Sequence, residues 1–411
     1  MQLPHYLHLR GILGIPNATL AFMLTVAQFK AAAHFPAFVG AFLLATVPAL
    51  VLMVLVGRQL DRFDKRHALV LMELLPIPMF LLILTQGQAN GLWTISLQMA
   101  VLNISGTFRW LSTSSGMAHW TAHASLPRCN AIQEFWRTFT TVIGTLIGGT
   151  LIGVVPGSTT LLLMMGVCLS VSLCMAGLPL LLSSGATPDG RRPMPLNRTG
   201  AARFIFRDPQ LRTLTLFFVF FNVALGASAV LLTPYLLNTL GPGHYAFYLA
   251  AQALGAAAAV PVFRMPAFKH RPERVVFGGS AAYALGLMLM GTQVHETTLL
   301  SVGAVLGLLG ACIPAASNTL WQRRTPQGDQ AAVFSVRLAL SLAPVPVAAL
   351  VAAGLLQTVT GAAASAPLSS LSQQIGLAIA CIGLGAIPVC LLFAAASTPP
   401  QAHAGQHQTN H

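Results

Sequence analysis

Gly57-Arg58-Gln59-Leu60-Asp61-Arg62-Phe63-Asp64-Lys65-Arg66 is the stretch on which the fold turns. Six of its ten residues are charged, and apolar runs at 34–56 and 68–86 flank it. The rest of the chain is poor in charge. Of 411 residues, 55% are hydrophobic and 8% charged, and the mean hydropathy is +0.72. A soluble domain carries roughly a quarter charged residues. So little charge cannot cover a water-facing surface of this size. A soluble enzyme, a disordered chain and a secreted disulfide scaffold are therefore excluded. A helix of roughly 20 apolar residues spans a bilayer. The chain reads as an all-α polytopic membrane protein.

Outward from that loop, further apolar runs fall at 8–29, 90–118, 131–155 and 159–183. Six more follow at 211–237, 243–263, 275–294, 297–321, 332–358 and 370–396. This predicts 12 transmembrane helices as two six-helix halves, 1–183 and 211–396. A polar linker, 184–210, joins them, and a Pro-, Gln- and His-rich tail, 397–411, reads as disordered. The linker carries five arginines among prolines and glycines, so it reads as a flexible or surface-lying tether open to anionic lipid. Arg10 precedes a run of spanning length, so the first run reads as a retained span rather than a cleaved signal.

The net charge is +13. In a soluble protein that would point to nucleic acid. Here sixteen of the 22 cations sit in even-numbered loops, and the odd-numbered loops hold only Lys30. Lys and Arg collect on the cytoplasmic side, so both termini and the linker are placed in the cytoplasm, with no nucleic-acid partner. The alternation also checks the count, because one missed span would scramble it. The six cysteines lie mostly inside apolar runs without a CxxC pair, and read as small buried hydrophobes. His403, His407 and His411 sit in the tail, where disorder outweighs metal binding. No cofactor is expected.

A faint repeat relates the halves. Pro127, Asn130, Phe135 and Arg137 at the start of span 5 are echoed by Pro326, Asp329, Phe334 and Arg337 at the start of span 11, the arginine offset by one. Duplicated halves are a transporter trait.

Charges inside spans carry a functional default. Arg109 lies deep in span 4 with no partner on its own helix. Arg137 and Arg337 lie a few residues into spans 5 and 11. Glu134 and Arg137 are three apart and can pair on one helix face. Asn17, Asn103, Asn222 and Asn318 fall in spans 1, 4, 7 and 10, and Pro16, Pro234 and Pro314 in spans 1, 7 and 10. Each asparagine suits a helix–helix hydrogen bond at least as well as a ligand. A proline frees backbone groups and kinks a helix, which suits a gate. Trp110, Trp120, Trp136 and Trp321 lie toward the cytoplasmic ends, as an interfacial belt would. No acid sits mid-span in spans 1, 4, 7 or 10, so Glu134 is the first choice for proton coupling, ahead of Glu73, His119 and His123.

The opening decapeptide resembles the loop signature of the major facilitator superfamily, Gly-x-x-x-Asp-Arg-x-x-Arg/Lys-Arg/Lys, through Gly57, Asp61, Arg62, Lys65 and Arg66. Asp64 stands where that family usually has Gly. The resemblance implies that this charge cluster locks one conformation and releases in another. Span 5, with Gly144, Gly148, Gly149 and Gly153, is similar to the glycine-rich span of the family's antiporters, with Gly149 where Pro is usual and Ile152 where a Gly is usual. Arg109 to Gly116 and the starts of spans 5 and 11 resemble a bacterial branch of macrolide-efflux and enterobactin-exporter-like proteins. In that family spans 1, 4, 7 and 10 line the cavity, which makes Arg109, Asn17, Asn103, Asn222 and Asn318 substrate-cavity candidates; Arg337 joins them as a deep arginine of span 11, and Glu134 with Arg137 in span 5 are the coupling candidates.

The expected function is therefore secondary-active transport by alternating access. The cargo is a small organic compound, drug-like or a siderophore, exported across the bacterial inner membrane by a monomer and coupled to protons. Deep arginines and no central acid favour an anionic cargo. The alternative is an importer of an anionic nutrient or lipid. An enzyme is not expected, since no HExxH, GxSxG or P-loop is present.

Overall fold

A computed structural model describes residues 2–60, 64–86, 91–120, 126–154, 157–182, 198–262, 271–292, 295–325, 333, 336–337, 339–341, 343–360 and 371–396. Among the described residues, nine helical stretches are long and apolar enough to cross a membrane. The longest, Pro209–Ala257, has 49 residues and holds two crossings. Its only non-helical residue is Gly241, at φ 75° and ψ 168°. A side chain disfavours that region of the map, and Gly does not. Spans 7 and 8 thus turn on one residue and need almost no loop.

Two further crossings are interrupted or more polar. Span 3 is two ten-residue helices, Lys65–Leu74 and Ile77–Gln86, broken next to Pro76 and Pro78. Span 4, Leu92–Trp120, is continuous but carries Asn103, Arg109 and a run of Ser and Thr. These complete twelve. Span 1 is Leu3–Leu13 and Ile15–Ala31, stepping at Gly14 ahead of Pro16. Spans 2, 5 and 6 are Phe35–Leu60, Leu126–Val154 and Gly157–Gly177. Spans 9, 10 and 12 are Pro272–Thr292, Glu296–Arg324 and Ser372–Ala396, and span 11 includes Pro344–Thr360.

Small residues set the packing, as in bilayers, where close backbone approach replaces the hydrophobic drive between helices. A Cβ on Gly255 of span 8 would meet the Ala304 carbonyl oxygen of span 10 at 1.8 Å, and one on Gly307 would meet the Gln252 carbonyl oxygen at 1.8 Å. In span 5, a Cβ on Gly144 would meet Ala18 at 2.6 Å and one on Gly148 would meet Phe22 at 2.7 Å. The Gly144/Gly148 face is therefore the seat of span 1.

Two departures from the sequence reading concern the linker. Its second part is a helix, Arg198–Arg207, and span 7 begins at Pro209 rather than after Gln210. Ala201 and Ile205 are four apart and both fully buried against Leu211, Leu214 and Phe217, while Arg203, Phe206 and Arg207 stay exposed. That apolar pair folds the segment onto span 7. The first part of the linker, 184–197, and the tail, 397–411, lie outside the described residues.

The cores reveal how the halves meet. We call the end bearing the even-numbered loops the cationic end, and the other the far end. At the far end one core joins both halves: Phe22, Val26, Phe35 and Phe38 pack with Leu231, Tyr235, Tyr245 and Leu287. At the cationic end the cores are separate. One holds Leu3, Tyr6, Leu7, Leu69, Cys129 and Leu182. The other holds Ile205, Phe217, Phe277, Leu320 and Trp321. Among the described residues, the halves are closed at the far end and divided at the cationic end.

Candidate functional site

Arg109 has a partner that its own helix does not supply. Its Nη1 donates to Glu73 Oε2 of span 3 at 2.8 Å, with Arg109 14% and Glu73 1% exposed. One turn away, Ser105 Oγ donates to the Met72 carbonyl at 2.6 Å, which fixes span 4 against span 3. Glu73 lies eight residues above Lys65, about 12 Å at helical rise. The pair is thus set well inside span 3, on the side toward the cationic end.

Span 1 closes the cluster. Arg10 Nη1 donates to Thr113 Oγ1, and Thr113 Oγ1 donates to the Arg109 carbonyl at 2.8 Å. Tyr6 is 1% exposed and lies within electrostatic reach of Arg10, Glu73 and Arg109. Two buried polar atoms in this cluster have no hydrogen-bond partner, Tyr6 Oη and Glu73 Oε1. Orphaned buried polar atoms are costly and rare. Sequence reasoning named Glu73 only as titratable, and missed Tyr6, Arg10 and Thr113 as its neighbours. It also missed Gln98, a fully buried residue of span 4 whose amide oxygen and nitrogen both lack partners. A polar side chain within an apolar run was the available signal.

The asparagines divide. Asn103 Nδ2 donates to the Ala45 carbonyl of span 2 at 2.9 Å, and Asn222 Nδ2 donates to the Ser341 carbonyl of span 11 at 2.8 Å. Both are cross-helix ties. Asn17 Oδ1 is buried without a partner. Asn318 Oδ1 accepts from Arg337 Nη1 at 2.7 Å, while Ser317 Oγ accepts from Arg337 Nη2 at 3.0 Å. The guanidinium also lies 5.0 Å from the Trp321 ring centroid. Trp321 is fully buried, so it is a platform for Arg337 and not part of an interfacial belt. Trp136 is tied down too, donating Nε1–H to His8 Nδ1 at 2.9 Å. The two deep arginines thus stand one in each half, both toward the cationic end. Arg137 is exposed, its carbonyl accepting from Thr141 Oγ1 at 2.9 Å. The Glu134 side chain lies outside the described residues, as do Asp61 and Arg62, while Gly57 falls in the last turn of span 2.

The described part of the charged loop shows why Asp64 is tolerated. Asp64 caps span 3, its Oδ1 accepting from Arg66 N–H at 2.9 Å. Arg66 Nη1 donates to the Leu182 carbonyl at the end of span 6, 3.1 Å. Lys65 is buried. In the other half, Asp208 caps span 7 and pairs with Arg324 at the end of span 10, 3.2 Å. Gln210 Nε2 donates to Glu273 Oε1 of span 9 at 3.1 Å. Each tie joins helices of one half. Between the halves, an apolar gap of about 260 Å³ lies where Val47, Leu50 and Leu55 of span 2 face Ala339, Ala343 and Pro346 of span 11.

This architecture has relatives of known fold. A bacterial homolog to the human lysosomal transporter Spinster, in an inward-facing and unoccupied conformation, superposes with TM-score 0.67 at 14% identity, covering 95% of this chain and 97% of that one. The nucleoside transporter NupG superposes with TM-score 0.69 at 11% identity, covering 96% and 99%. Identities this low carry the fold alone. No curated protein matches the sequence. The family signature described as Major Facilitator Superfamily matches residues 9–344, and the chain belongs to that superfamily.

Proposed function

We propose that this chain, a multi-pass membrane transporter and not an enzyme, exports a small organic compound, drug-like or a siderophore, by alternating access coupled to protons. It works as a monomer in the bacterial inner membrane with both termini cytoplasmic. The observation that carries this reading is the placement of Arg109 and Arg337, one deep cation in each half, at the end where the cores of the halves are separate. With the cationic end cytoplasmic, that is an inward-facing arrangement. Two such arginines suit an anionic or chelating group. Asn17, with an unpartnered buried oxygen, joins them as a cavity candidate, and Asn318 positions Arg337. Asn103 and Asn222 act by holding spans 4 and 7 in place.

The charged loop serves as the conformational lock. Gly57, Asp61 and Arg62 carry it from the end of span 2, and Lys65 and Arg66 seat it on spans 3 and 6. Asp61→Asn is expected to slow turnover without loss of binding. Glu134 with Arg137 remains a coupling candidate beside Glu73.

The test is transport in proteoliposomes under an imposed pH gradient, with candidate cargoes on either side. Outward-directed accumulation driven by inward proton flow supports the reading. Accumulation in the direction of proton flow supports a second reading, uptake of an anionic nutrient or lipid. One observation favours that second reading: the partner of Arg109 is a carboxylate, which a proton can neutralise.

A further inference from the structure

We propose that the linker helix and the start of span 7 together form a binding site for an anionic phospholipid of the leaflet at the cationic end. Arg203, Arg207 and Arg212 take the phosphate of the headgroup, and Phe206, Leu216 and Phe220 lie against its hydrocarbon.

One bend in the chain builds the site. Asp208 alone separates the linker helix from span 7. Its N–H donates to the Phe204 carbonyl at 3.3 Å, and its carbonyl accepts from the Arg212 N–H at 2.9 Å, so it is bonded into both helices. Ala201 and Ile205 hold the inner face of the linker helix on the core of the second half. That leaves Arg203, Phe206 and Arg207, at i, i+3 and i+4, together on the outer face. On span 7, Arg212, Leu216 and Phe220 recur every four residues as an exposed row. Leu216 and Phe220 lie about 6 and 12 Å along the helix from Arg212. Cations heading an apolar row match a phosphate heading its acyl chains.

Three observations select this partner. Among the described residues, none of the three guanidinium groups pairs with a carboxylate. The two acids of this neighbourhood are engaged elsewhere: Asp208 accepts from the Gln210 and Leu211 N–H groups and from Arg324, and Glu273 accepts from Gln210. The cations are also all arginines, in a chain whose 22 cations include three lysines. The planar guanidinium fork grips a phosphate with two parallel hydrogen bonds, where an ammonium offers a point charge. Finally, Phe206 is 44% exposed between two arginines, and Phe220 is 57% exposed below Arg212. An aromatic ring among cations is unfavourable in water and suited to the headgroup boundary, where basic amphipathic helices lie. A soluble phosphate compound would use the arginines and leave the apolar row idle.

A lipid held here clamps the linker helix against span 7 and gives the second half a fixed footing in its leaflet. Three arginines, each contributing about fivefold at an anionic surface, predict a preference of about a hundredfold for an anionic over a zwitterionic lipid.

The experiment is native mass spectrometry of the purified full chain in detergent, titrated with phosphatidylglycerol, phosphatidylcholine or glycerol phosphate. Wild type is expected to retain phosphatidylglycerol about a hundredfold more tightly than phosphatidylcholine. Each of Arg203→Gln, Arg207→Gln and Arg212→Gln weakens phosphatidylglycerol about fivefold and leaves phosphatidylcholine unchanged. Arg271→Gln and Arg274→Gln, exposed arginines flanking the start of span 9, are the controls and keep the wild-type preference. A triple variant that still prefers phosphatidylglycerol overturns the proposal. Equal losses from the controls also overturn it, since they mean diffuse charge attraction without a site. Displacement of the lipid by glycerol phosphate at equal concentration means a soluble phosphate ligand and sinks the lipid assignment. Photoactivatable phosphatidylglycerol in nanodiscs gives the second measurement. Labelling is expected to concentrate between residues 203 and 220 and to vanish in the triple variant, and labelling spread evenly around the bundle refutes the site.

Discussion

Phe22 of span 1 stacks on Tyr245 of span 8 across the two halves, with ring centroids 5.7 Å apart and planes at 29°. Beside them Gly149 of span 5 faces Ala246, and a Cβ on that glycine would lie 2.4 Å from the alanine Cβ. The far-end closure is therefore a contact of aromatic rings and small residues with no room to spare.

Gly149→Val is expected to wedge this contact open. Overpacking a tight site costs about 1–3 kcal/mol, and every 1.4 kcal/mol is tenfold in a population. Distances between spin labels at Lys30 and His244, on opposite halves, should lengthen. An unchanged distance distribution would show that the closure tolerates the added volume.

Arg109→Ala should abolish transport while leaving membrane insertion intact. It also leaves Glu73 buried without its cation, a loss of about 3–5 kcal/mol. The double variant with Glu73→Gln should recover most of the thermal stability and none of the transport. Normal transport by well-expressed Arg109→Ala would remove Arg109 from the cargo site.

Asp64→Ala is expected to lower stability by about 1 kcal/mol, and Asp64→Gly by only a few tenths, since Gly is itself an acceptable N-cap. Thermal denaturation in detergent ranks the two. Equal losses would mean that the cap contributes nothing and that the Arg66 and His67 contacts of Asp64 dominate.

Gly307→Leu should prevent assembly of the second half, because the obstacle is the backbone oxygen of Gln252 and cannot swing aside. Size-exclusion profiles of a fluorescent fusion report this as loss of the monodisperse peak. Gly153→Leu is the control, since a Cβ there meets nothing within 4 Å.

The transbilayer plan was legible because charge is expensive in lipid. Charged stretches such as 57–66 announce themselves by where cations are allowed. The turn at Gly241 was not legible as a single residue, since Gly241-Pro242-Gly243 suits a longer loop equally well. The linker helix was written in the spacing of Ala201 and Ile205, but the surrounding arginines masked it. The ion pair of the site escaped for a different reason. Glu73 and Arg109 are 36 residues apart, and the rules for charge pairs on a helix see only three or four residues along. Asn103 and Asn222 were seen as polar groups in the right spans, but a side chain does not declare whether its donor meets a ligand or a neighbouring carbonyl.

The far-end core belongs to neither half. Val26 and Phe38 come from one, Leu231 and Leu287 from the other. Each half made alone would carry an exposed apolar face that only its sibling fits. Cutting the chain between residues 183 and 198 should then yield two fragments that find each other in the membrane and co-purify without a covalent join.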